Sequence, residues 1–211
     1  MNYRALLLCI GFVGLLGNSL QAQATGSLRA AIGGGGFDLD DDEAALDAEA
    51  DLNSADFRAT FQVDNHVFLR GEYTHNWADQ IKIDHVEYDT DIDLNTLRLG
   101  VGYGGDVGSI RMYGVAEYVK LDFNIEDEGD DGNGWGLTFG IGNQLQAQWI
   151  WNAELSLLDV EGTTGAALDA SVGYRFTPMF AGLVGLQSYA FEDDGSEVSF
   201  GNAYIGLQLM F

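Results

Sequence analysis

Three groups of residues in this 211-residue sequence have types and spacings that could do chemistry. The first is a set of charges recurring inside otherwise apolar segments: Arg29, Arg58, Arg70, Arg98, Arg111 and Arg175 against Asp56, Glu72, Glu117, Glu154 and Asp169. Cations and anions are close to balance, which allows two readings. The groups line a narrow polar pore, or they pair into a plug that satisfies buried charge inside a small barrel; we read them as a plug. The second group is acidic, Asp40, Asp41, Asp42 and Glu43, together with "EDEGDDGNG" from Glu126 to Gly134. Its Asp127, Asp130 and Asp131 are weak candidates for a hard cation, because neither run has the alternate-position spacing of an EF-hand loop. These acids read first as a solvated rim. Loose gathering of divalent cations, bridging to lipopolysaccharide phosphates, is the alternative. The third group is His75, Asp79 and His85. An Asp–His pair can activate water, but no nucleophile motif stands beside them, so no enzyme is expected. His66 falls in a different turn. No cofactor is expected.

The compartment follows from the first residues. "MNYRALLLCIGFVGLLGNSLQAQA" carries one cation, Arg4, then an apolar run, then the small-x-small triplet Ala22, Gln23, Ala24. This is the pattern of a secretory signal peptide over residues 1–24, with 25–211 as the mature domain. The only cysteine, Cys9, lies inside that segment and follows three leucines. That is not a lipoprotein cleavage site, and its removal would leave no thiol for disulfides, thiolate metals or nucleophiles. The formal charge of −24 repels nucleic acid and excludes it as a partner, while 46% hydrophobic and 12% aromatic content is too high for a disordered chain. After residue 24 no run is apolar enough for a spanning helix.

The elements that must position these groups are strands. Period-2 segments bounded by Gly, Asp and Asn fall at 26–37, 54–63, 67–77, 93–104, 109–123, 134–142, 147–158, 166–176, 180–191 and 198–211. Most exceed the ~5–6 residues usual in globular sheets and suit tilted strands crossing a bilayer. The connections alternate in kind. "DNH", "GDVG", "NQLQ" and "TPM" are short, whereas 38–54, 78–92 and 124–133 are long and acidic, and "DVEGTTG" and "EDDGSE" are shorter but still acidic. Most of the 33 acidic residues lie in this second set. The stretch "DEAALDAEA" suits a turn or two of helix. Each clear strand has one greasy face, such as Trp135, Leu137, Phe139 and Ile141, opposite small or polar groups, such as Gly136, Thr138, Gly140 and Gly142. The segments 109–123 and 180–191 and the run Gly33–Gly36 do not alternate cleanly, which leaves eight strands as the alternative to ten.

The last strand, "AYIGLQLMF", places Ile205, Leu207, Leu209 and Phe211 on one face. With this strand, the sequence over 25–211 resembles the bacterial outer-membrane β-barrel family, specifically small barrels like the transmembrane domain of outer-membrane protein A. The resemblance implies an all-β, antiparallel up-and-down barrel in the outer membrane of a Gram-negative bacterium. Its partners would be membrane lipid and lipopolysaccharide, and Ile205, Leu207, Leu209 and Phe211 would be a signal read by the barrel-assembly machinery. The family includes anchors, adhesins, channels and a few enzymes. Our expectation is a barrel with a largely closed polar lumen and acidic external loops, in a structural or surface-interaction role. A narrow porin-like channel comes second and an outer-membrane enzyme third.

Overall fold

Lipid offers no water to backbone N–H and C=O groups, so strands crossing it must be paired on both edges. The computed structural model, which describes residues 26–41, 46–125, 128–143, 148–193 and 196–211, meets this demand with one closed antiparallel barrel. Its ten strands are β1 (Gly26–Asp41), β2 (Leu46–Gln62), β3 (Val67–Ile83), β4 (Val86–Val107), β5 (Ile110–Ile125), β6 (Glu128–Asn143), β7 (Trp149–Val160), β8 (Thr163–Arg175), β9 (Phe180–Asp193) and β10 (Ser196–Met210). Each pairs with its neighbours in sequence, and β1 closes on β10 in unbroken register from Ser27 opposite Met210 to Asp41 opposite Ser196. The described residues contain no helix.

The strands run further than their greasy faces suggest, up to 22 residues in β4. Most of the expected acidic loops are strand. Residues 38–41 and 46–54 belong to β1 and β2, 78–83 and 86–92 to β3 and β4, and 124–125 and 128–133 to β5 and β6. The expected helical turn over 42–50 is strand from Leu46 onward, and 42–45 lie outside the described residues. Alternation explains the difference. Phe37, Ala48, Ala50, Leu52, Ile81, Ile92 and Leu94 are buried inside, while the acids between them point outward. At this acidic rim β3 turns into β4 through Asp84 and His85 (φ 49° and 70°), and β7 into β8 through Glu161 and Gly162 (φ 54° and 92°). Two successive positive φ values match the right-handed twist of a hairpin, and Gly162 takes the larger without Cβ strain.

The two storeys of the barrel have opposite chemistry in the same strand phase. On β1 the outward residues run Leu28, Ala30, Ile32, Gly34, Gly36, Asp38, Asp40, and the inward ones Ser27, Arg29, Ala31, Gly33, Gly35, Phe37, Leu39. The wall changes from greasy outside and polar inside to the reverse across Gly33–Gly36. Elsewhere on the greasy belt Trp135, Leu137, Phe139 and Ile141 face outward on β6, and Leu155 and Leu157 on β7. The steps from Trp149 to Leu157 rise roughly 20 Å at about 3.4 Å per residue and about 40° of tilt, close to the ~25 Å apolar band of an outer-membrane barrel. Trp149, Tyr174 and Phe176 cluster at the short-turn edge of that belt with ring centroids 5.1 and 5.5 Å apart, and Tyr103 stacks on His66 there at 5.6 Å.

Candidate functional site: a charged septum across the lumen

Inside the greasy belt, inward-pointing polar residues from all ten strands meet in one layer. β2 and β3 bring Arg58 and Glu72 together at 2.6 Å, and Arg58 continues to Glu154 of β7 at 3.1 Å and Asp169 of β8 at 3.3 Å. Arg70 reaches Glu72 and Glu154, both at 2.9 Å. Arg29 of β1 pairs with Asp56 at 2.8 Å and Asp169 at 3.3 Å, and its guanidinium lies 4.9 Å from the Tyr204 ring centroid of β10. Arg98 of β4 bridges to Glu117 of β5 and donates to Thr138 of β6 at 2.7 Å and Ser156 at 2.6 Å. Gln187 of β9 donates to Glu72 at 3.1 Å. The ion-pairing side chains are at most one-tenth exposed.

Nothing but mutual pairing makes this layer tolerable. A lone charge in such surroundings would cost several kcal/mol, and only short, multiply hydrogen-bonded contacts offset that. Neutral neighbours add hydrogen bonds to three of the carboxylates. The Tyr204 hydroxyl donates to Asp169 at 3.1 Å, the Thr74 hydroxyl to Asp56 at 3.3 Å, and the Tyr113 hydroxyl to Glu154.

Of the charges singled out in the sequence, the structure brings Arg29, Asp56, Arg58, Arg70, Glu72, Arg98, Glu117, Glu154 and Asp169 into this layer. Arg111 and Arg175 stand outside it. Arg111 sits with its guanidinium 5.9 Å from the Phe68 ring centroid, on the wall of a cavity of about 170 Å³ below the septum that Gln62, Tyr113, Asn143 and Gln208 also line. Arg175 is half-buried near the short-turn end, and its Nε and Nη2 meet no hydrogen-bond acceptor among the described residues. Sequence reasoning missed the neutral members, Thr74, Tyr113, Thr138, Ser156, Gln187 and Tyr204. Their inward phase beside the charges was the available signal. It also missed the second storey, an apolar core above the septum built from Phe37, Ile81, Ile92, Val119, Tyr189, Phe200 and their neighbours. The polar lumen expected from sequence therefore fills only one half of the barrel.

The other candidate groups do not converge. His75 faces outward from β3, and its carboxylate neighbour is Asp93, 3.7 Å away, rather than Asp79. Asp79 lies at an irregularity further along β3, and His85 at the tip of the β3–β4 turn. Asp127 and the side chain of Asp130 lie outside the described residues, and Asp131 faces outward in an ion pair with Lys120 at 2.9 Å. Asp40 and Asp41 are strand residues, whereas Asp42 and Glu43 lie outside the described set. Among the described residues no three His, Cys, Asp or Glu side chains gather as a metal site. On the last strand Ile205, Leu207 and Leu209 share the outward phase. Phe211 follows with its backbone paired to Gly26 in both directions, at 2.8 and 3.1 Å.

A closed antiparallel ring with a greasy outer belt and an ion-paired interior is barrel architecture made for lipid. The sequence matches the outer membrane protein beta-barrel domain family over residues 10–211. The chain belongs to that family. As an outer-membrane β-barrel it resides in the outer membrane of a Gram-negative bacterium, surrounded by lipid. No curated protein matches it. Among solved structures the barrel is similar to the outer membrane protease OmpT from Escherichia coli, with TM-score 0.54 and 8% identity over 92% of this chain and 99% of that one. It is also similar to an outer-membrane channel from Pseudomonas putida F1, with TM-score 0.51 and 6% identity over 92% and 98%. Neisserial surface protein A aligns with TM-score 0.47 and 13% identity over 90% of this chain and 100% of that one. At these identities the likeness is one of fold. A protease and a channel share the architecture, so the barrel's role rests on its own interior and exterior.

Proposed function

We propose that this barrel is a closed anchor whose working surface is its acidic exterior rather than a pore. The observation that carries the reading is the septum, fed by every strand, with the apolar core above it. An ion crossing along the axis would have to break several buried ion pairs and then cross a layer of mostly apolar side chains. Each step costs more than hydration returns. The outward acids beyond the greasy belt, among them Asp38, Asp40, Glu49, Asp51, Asp91, Asp159, Glu192 and Glu197, give the exposed rim a dense negative field suited to gathering divalent cations and basic partners. No catalytic role is assigned, since His75 and Asp79 stand on the outer wall and do not meet.

Planar-bilayer recording tests this reading. Protein shown to be folded by its heat-modifiable gel migration is expected to give no conductance steps. Glu154→Gln, which removes the septum's ion pairs to Arg58 and Arg70, is expected to stay equally silent because the apolar storey remains. Discrete steps from the folded wild type would overturn the closed reading in favour of a narrow channel.

A further inference from the structure

The cavity of about 170 Å³ beneath the septum is lined by four arginines, Arg29, Arg58, Arg70 and Arg111, against one carboxylate, Glu154. Arg29 and Arg58 are committed to the acids of the septum. Arg70 is only partly so. Its side chain is 2% exposed and its Nη2 reaches Glu72 and Glu154, but Nε and Nη1 meet no hydrogen-bond acceptor among the described residues. Arg111 has the Phe68 ring beside it, and Asp106, opposite it on β4, is exposed and forms no described ion pair with it. Glycines keep the space between these groups open. A Cβ on Gly102 would run into the Phe68 ring, and one on Gly140 into the Tyr113 ring. Both rings therefore lean into the wall where it has no side chain, edge to face at 5.7 Å, rather than across the lumen.

A buried guanidinium with idle donors, close to a second arginine, is the chemistry of an anion site. The charge count limits the anion. Six inward arginines, with Arg98 and Arg175 added to the four above, face the five acids Asp56, Glu72, Glu117, Glu154 and Asp169, which leaves one positive charge over. A monoanion matches that excess, whereas a phosphomonoester, close to a dianion at neutral pH, exceeds it. The rest of the lining selects the body of the ligand. Phe68, Ile150 and Leu183 offer apolar surface, and the volume has room for on the order of ten waters, so the occupant is small. Gln62, Asn143 and Gln208, all part-exposed, line the cavity at its short-turn end. We propose that this cavity binds a small monocarboxylate with a compact apolar body, its carboxylate held by Arg70 and Arg111, admitted from the short-turn, periplasmic end. The site goes beyond the anchor reading and stands whether or not the lumen above it conducts.

Fluorine NMR titration of the full chain, folded in detergent, with 4-fluorobenzoate and separately with its uncharged analogue 4-fluorobenzamide tests it. The benzoate is expected to bind saturably and the benzamide about tenfold more weakly, the scale of one lost charge-assisted hydrogen bond. Arg111→Gln is expected to weaken the benzoate by about the same factor and to leave the benzamide response unchanged. Lys120→Gln, the same change of charge on the outer wall, is expected to alter neither. Ser171→Leu, which narrows the cavity without removing a charge, is expected to weaken both compounds and carries the test if Arg111→Gln does not fold. Heat-modifiable migration checks the fold of every variant. Non-saturating responses, alike for the two compounds, would mean partition into the micelle only and overturn the site. Undiminished benzoate binding in folded Arg111→Gln or Ser171→Leu would overturn it equally.

Discussion

Glu72 is the residue on which the septum converges. It faces Arg58 at 2.6 Å, Arg70 at 2.9 Å and Arg98 at 3.9 Å, and accepts from Gln187. Glu72→Gln keeps the shape but leaves these buried cations under-compensated, so it is expected to destabilise the barrel by roughly 3–5 kcal/mol. A lowered urea midpoint for loss of the heat-modifiable band would measure this. Asp131→Asn, which breaks the exposed pair with Lys120, is expected to leave the midpoint within error, because solvent screens that pair. At this scale the sequence was legible in part. Alternate spacing placed Arg58 and Asp56 on one strand face, but no spacing along a strand reveals that Arg29 meets Asp169, 140 positions away. That depends on barrel closure and stagger.

At the scale of the strand, the β1–β10 seam rests on glycines that cannot be exchanged freely. A Cβ on Gly35 would lie 1.7 Å from the Gly201 carbonyl oxygen and 2.6 Å from Asn202 Cα, both backbone atoms that no side-chain rotation can move aside. On Gly36 the nearest atom would be 3.9 Å away. Gly35→Ala is therefore expected to cost at least the about 1–3 kcal/mol of overpacking and to deplete the folded band, while its neighbour Gly36→Ala leaves the band intact. Parallel refolding of the two variants, read by gel migration, checks the contrast. The number of strands and the alternation of connections were legible because Trp135–Ile141 and Trp149–Leu157 keep strict period 2. Strand ends were not, because Asp and Ala are poor strand formers and read as loop. What overrode propensity was tertiary: Phe37, Ala50, Leu52 and Ile92 have an apolar interior to fill, and the acids between them need only point outward. The unclear phase of 109–123 has the same cause, since Val115 and Glu117 share the inward face but belong to different surroundings.

At the scale of the whole molecule, the charged septum crosses the interior with apolar side chains packed above it, and the exterior is divided into a greasy lower belt and an acidic upper storey. The acidic storey has a kinetic consequence. With the acidic storey as the outer working surface we propose, a barrel that inserts from the periplasmic side must carry these outward carboxylates through the hydrocarbon, and to leave it must carry them back. Insertion then works as a ratchet, with residence set by the barrier to withdrawing charge rather than by the depth of the free-energy well. Spontaneous refolding into preformed lipid vesicles is accordingly expected to be slow at neutral pH. It should accelerate when the outward acids of one hairpin, Asp38, Asp40, Glu49 and Asp51, are replaced by their amides. Time courses of gel-shifted protein for the two chains would show it, and equal rates would mean that the passage of charge does not limit insertion.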